Sequence, residues 1–126
     1  MKTVEELCKE YNVNLIDLRV YPEYASEVNM PIEHFANRSF CIGSKEIVVG
    51  LYEDDELRYV SALHELGHIL GIIDKKEGWP YHHEVAAWKW AMDKVHDEKI
   101  KLAPKTIQWC NDQLLTYFKK EKNKDD

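Results

Sequence analysis

His64-Glu65-Leu66-Gly67-His68 is the stretch of this chain best suited to chemistry. On an α-helix, residues four apart lie one above the other on the same face. Two imidazoles at that spacing can reach one metal ion, and the H-E-x-x-H pattern is that of zinc-dependent hydrolysis. Glu65 lies within about 60° of His68 around the helix. Its carboxylate can approach a water on the same ion and act as a base. The sequence thus predicts His64 and His68 as metal ligands, Glu65 as the catalytic acid/base and Zn2+ as the ion.

Leu57, Leu63, Leu66, Leu70 and Ile73 surround the two histidines, so the helix is expected to be mostly buried. Neutral histidines on a buried face are costly unless their nitrogens are satisfied. Gly67 and Gly71 project to the same side as His64 and His68. Glycine costs a helix about 1 kcal/mol against alanine. Two on one face point to a close approach there by a metal and another element.

The third ligand has two contenders. Glu84 falls on a predicted helix over Tyr81 to Ile100 whose apolar stripe is Val85, Trp88, Ala91, Met92 and Val95. A carboxylate beside that stripe needs a cation or several donors. With His64 and His68 it completes the His₂Glu set of catalytic zinc, with a fourth position left for water. Asp74 is the rival. His64 to Asp74 also reads H-E-x-x-H-x-x-G-x-x-D, which resembles the metzincin arrangement with Asp at the last position. The methionine turn of that family has no counterpart here, since Met92 lies inside a predicted helix, and Asp74 precedes Lys75 and Lys76. Glu84 is therefore preferred. His82 and His83 flank Glu84, where one could orient it or assist a reacting group. Tyr81 is placed to serve as an oxyanion donor. His34 and His96 are expected to be structural or exposed.

The elements that hold these residues follow from periodicity and punctuation. Thr3 and Glu6 form a capping box for a short helix with Val4, Leu7, Cys8 and Tyr11 inward, ended by Asn12 and Asn14. Leu15 to Tyr21 reads as a strand and Pro22 to Pro31 as a loop with room for a helical turn. Arg38 to Leu51 reads as a hairpin turning at Gly43-Ser44-Lys45, with Phe40 and Ile42 on one arm and Glu46 to Leu51 as the other. Glu53 to Glu56 are acidic where the next helix begins, and the helix dipole accounts for them. Asp74 to Pro80 is a loop. The last helix spans Pro104 to Phe118 with Ile107, Cys110, Leu114 and Phe118 inward, and residues 118–126 are expected to be a charged, frayed tail.

Length predicts a single domain over residues 1–126. The net charge of −6 disfavours direct nucleic-acid binding. The polar stretch MKTVEELCKE shows no signal-peptide pattern, so no leader is expected, and no apolar run reaches membrane-spanning length. The three cysteines lack zinc or disulfide spacing, and reduced thiols in a cytoplasmic protein are the simple expectation.

The order of EIVVGLY, an acidic linker, LRYVSALHELGHILG, a loop and HHEVAAWKWA resembles the ImmA/IrrE family of phage and mobile-element metallopeptidases, also described as domain of unknown function 955. Its members carry a strand before H-E-x-x-H and a later helix opening Glu-Ala-x-x-aromatic. Glu84, Val85 and Trp88 occupy those positions, with Val85 in place of the usual alanine. The resemblance covers Arg38 to Val95. It implies zinc held by His64, His68 and Glu84, Glu65 as acid/base, and a specific protein substrate such as a repressor. Some members carry a helix-turn-helix domain, and none is expected here.

The expected fold is α+β, zincin-like, with a small antiparallel sheet packed on three to four helices. The expected reaction is peptide-bond hydrolysis, with a metal-binding, non-proteolytic anti-repressor as the alternative. The Glu46 to Leu51 arm is expected to take substrate by strand addition.

Overall fold

A computed structural model of the chain describes residues 2–71 and 80–125. Asp74 and Ile73 lie outside the described residues, as do the side chains of Tyr81 and Phe118. Among the described residues the fold is α+β, a three-stranded sheet with five α-helices where three to four were expected: α1 (Val4–Glu10), α2 (Tyr24–Glu27), α3 (Asp55–Leu70), α4 (Pro80–Asp97) and α5 (Pro104–Asp125). A 3₁₀ turn spans Ile32–Phe35.

The sheet corrects one expectation. It is mixed, in the order β1 (Asn14–Asp17), β3 (Glu46–Val49), β2 (Ser39–Ile42). β2 and β3 form the expected antiparallel hairpin, Phe40 opposite Val48. β1 runs parallel to β3, Leu15 opposite Ile47. Direction is not written in a strand's own residues; it follows from the long connection between β1 and β3, which is what a parallel pairing requires. β1 is also shorter than expected, because the chain turns after Asp17: the Val20 and Tyr21 amides donate back to the Asp17 carbonyl.

Both sheet faces are covered. Ile47 and Val49 face the main core with Leu7, Leu63, Leu66 and Trp88, while Val48 faces a smaller core of Leu18, Ala25 and Phe35. Alternation along the strand assigns each side chain to one face. β3 is paired on both sides, so Glu46–Val49 has no edge to offer a peptide. That corrects the expected docking arm. Among the described residues, the edge of β2 away from β3 is unpaired.

Local chemistry sets the helix boundaries. Thr3 and Glu6 form the capping box of α1. Asp54 caps α3 by accepting from the Glu56 and Leu57 amides. Its carboxylate also meets Lys105 at 2.6 Å, and Glu56 accepts from the Ala103 amide at 2.7 Å. The acidic run thus starts one helix and anchors another. α5 continues to Asp125, past the expected end at Phe118, since neither Pro nor Gly follows Pro104 to stop it.

Two stripes are rotated from the expected ones. In α4 Val85 is 37% exposed and Ala87 is buried in its place, while Trp88, Ala91 and Val95 face the core as expected. In α5 Ile107 is 48% exposed and Thr106 is buried instead, while Cys110 is buried as expected.

Candidate metal centre

α3 and α4 together present the predicted ligands. Gly67 makes this possible. A Cβ there would lie 2.3 Å from the Ala87 carbonyl oxygen, well inside van der Waals contact. Only a residue without a side chain lets the α4 backbone come this close. Gly71 ends α3 nearby, and a Cβ on it would lie 3.2 Å from the Ala86 carbonyl oxygen. The two glycines clear a face, as expected, and the element that fills it is α4.

That approach delivers Glu84 to the histidines. His64 Nε2 donates to Glu84 Oε2 at 2.6 Å, and His68 Nε2 lies 3.0 Å from Glu84 Oε1. Among the described residues, these three form a group whose donor atoms all lie within 4.8 Å of one another. Such a group can hold a metal ion. Ligands of tetrahedral zinc at about 2.0–2.2 Å stand about 3.3–3.5 Å apart, so modest side-chain movement would accommodate one.

The protonation states fit the same chemistry. Burial opposes ionisation of Glu84, but the hydrogen bonds from His64 and His68 outweigh it and hold the carboxyl at about 2. Burial pushes His64 down, towards its neutral form. An ionised carboxylate and a neutral imidazole are the forms that ligate. His64 also stacks on Trp88, with centroids 4.2 Å apart and planes 8° from parallel. Trp88 follows Glu84 by one turn, so α4 supplies both a donor and the surface that orients another.

Glu65 does not join the donor group. Its Oε2 lies 3.5 Å from His64 Nδ1, and the residue is 6% exposed. Burial pushes its carboxyl up to about 8. The predicted ligands and the predicted base are therefore separate side chains around one point.

All four line a cavity of about 600 Å³. One wall is β2 with the turn before it, from Asn37 to Cys41, and the other includes Trp109, Gln113 and Thr116 of α5. Tyr52 lines it too, its hydroxyl 2.8 Å from Ser39 Oγ.

No protein-family model, curated protein or solved structure matches the chain.

The other sequence-predicted residues divide clearly. Neither His82 nor His83 is among the residues lining the cavity; His83 Nε2 is buried without a hydrogen-bond partner among the described residues. His34 stacks on Phe40 at 5.7 Å and His96 is exposed, the structural and surface roles expected of them. Cys8 and Cys110 are buried thiols, pushed up to about 11 by burial, whereas Cys41 lines the cavity. Sequence reasoning missed Arg38, Tyr52, Trp109 and Gln113. Each lies on an element whose position over the motif helix no local pattern encodes.

Proposed function

We propose that the chain is a zinc-dependent metallopeptidase acting on a specific protein. One observation carries this reading: His64, His68 and Glu84 bring their donors within 4.8 Å of one another, with the Glu65 carboxylate beside them in a cavity. Two nitrogens and one carboxylate, with no sulfur, are the donor set of hydrolytic zinc. The resemblance to the ImmA/IrrE family supports the same assignment and suggests a repressor as substrate. A zincin-like arrangement of the α3 motif is part of the same reading.

His64, His68 and Glu84 would hold the ion. A bound zinc supplies Lewis acidity, acidifying water and polarising a carbonyl. In its ionised form Glu65 would take a proton from the attacking water and deliver it to the leaving amine. Its burial keeps bulk water from competing for that proton. Trp88 holds the His64 ring in one plane. The unpaired edge of β2 receives the peptide backbone, leaving alternate side chains to the cavity walls.

Two experiments test this. Glu65→Gln should keep bound zinc, measured by elemental mass spectrometry, and lower peptide cleavage by at least about a hundredfold. His64→Ala should lose the metal itself. A biological effect that survives Glu65→Gln would instead mark a metal-binding anti-repressor that acts by contact. For the docking edge, Cys41→Pro should raise KM while metal content holds, since the Cys41 amide faces away from β3. Loss of metal with unchanged KM would remove β2 from substrate binding.

A further inference from the structure

Charge is unevenly placed around the cavity. Its acids, Glu65 and Glu84, are buried at the metal end. Arg38 is the one Lys or Arg among the described residues that line it. Arg38 is exposed and makes no ion pair with a described residue. Arg19 and Arg58, by contrast, are paired with Asp55 and Asp17. The chain has 23 acidic residues against 17 Lys and Arg, so Arg38 is not left over for want of acids.

Its backbone is held in place. Asn37 takes the left-handed conformation at φ 53°. The Asn37 amide donates to the Leu51 carbonyl at 2.9 Å, and the Leu51 amide to the Phe35 carbonyl at 2.9 Å. The turn rests directly on Gly50, where a Cβ would lie 1.9 Å from the Arg38 carbonyl oxygen. The result is a cation with an anchored root and an uncommitted head, one residue before the β2 edge.

A guanidinium offers a planar fork of donors that matches a carboxylate. A cavity of about 600 Å³ is about 10 Å across if rounded, the span of about three residues of extended chain. Building on the hydrolase reading, we propose that Arg38 determines specificity by binding a carboxylate of the peptide within about three residues of the scissile bond. The carboxylate is either an Asp or Glu side chain or the chain terminus.

The test uses the zinc-loaded full chain and a random peptide mixture, in one arm with free C-termini and in the other amidated. Cleaved sites are read by mass spectrometry, as are peptides retained by immobilised Glu65→Gln protein. Carboxylates should be enriched about tenfold near the cut or among retained peptides. Enrichment in both arms identifies a side chain; enrichment with free termini alone identifies the terminus. Arg38→Gln should abolish the preference and raise KM for acidic peptides without changing kcat or zinc content. Arg38→Glu should shift the preference towards Lys and Arg. Cleavage or retention without carboxylate enrichment, or enrichment that survives Arg38→Gln, would overturn the proposal. If zinc-loaded protein retains acidic peptides through Arg38 but cleaves none, hydrolysis falls and the carboxylate site stands.

Discussion

Glu65 and Glu84 show how environment separates two identical side chains. Both are largely buried, which disfavours a charge. Two histidine donors offset that cost for Glu84 and hold its carboxyl at about 2, whereas burial pushes Glu65 up to about 8. In the proposed mechanism the first would ligate and the second would carry a proton. The same scale assigns Trp88 a positioning role. Its indole stacks on His64 with nearly parallel planes, at 4.2 Å between centroids. Trp88→Leu should weaken zinc binding by about tenfold, the size of effect seen when supports of metal ligands are removed. Trp88→Phe should restore most of the affinity. Competition against a chromophoric chelator measures both, and a merely structural role would lower thermal stability while leaving affinity intact.

At the scale of elements, the contact between α3 and α4 decides whether a site exists. His64 and His68 are set by one helix and Glu84 by another, so donor spacing depends on how closely the two helices pack. Gly67 permits that distance. Gly67→Ala would place a methyl 2.3 Å from the Ala87 carbonyl oxygen, and backbone cannot rotate away as a side chain can. We expect a loss of about 1–3 kcal/mol in urea denaturation, with weaker zinc binding as Glu84 retreats. Unchanged zinc affinity in a folded variant would show that the helix spacing is not what sets the donors. The hairpin makes a complementary contribution: β2 stands at the sheet's edge and forms a cavity wall, while β3 is fixed between its two neighbours.

Across the whole molecule, the donor group and the core are parts of one structure. α3 buries Val60, Leu63 and Leu66 against the sheet and the other helices, and its next face carries His64 and His68. Metal bound to the folded state alone therefore stabilises the entire fold. Zinc at a hundred times its Kd should contribute about 2.7 kcal/mol and raise Tm by about 10 °C. Scanning calorimetry of wild type and His64→Ala, with and without zinc, checks this. An equal rise in both would place the stabilising ion elsewhere. Among the described residues, no helix is long and apolar enough to cross a membrane.

The sequence alone determined what depends on neighbours along the chain. The capping box of α1, the hairpin turn at Gly43, the Asp54 start of α3 and the one-turn spacing of His64 and His68 are all local, and all were legible. Glu84 was legible too, because a carboxylate on an apolar stripe demands a partner. Tertiary structure decided what depends on distant segments. The parallel direction of β1, the central place of β3, the rotated faces at Val85 and Ile107 and the cavity position of Arg38 share one cause. A residue's type and period state that it must be covered, but packing in three dimensions selects what covers it.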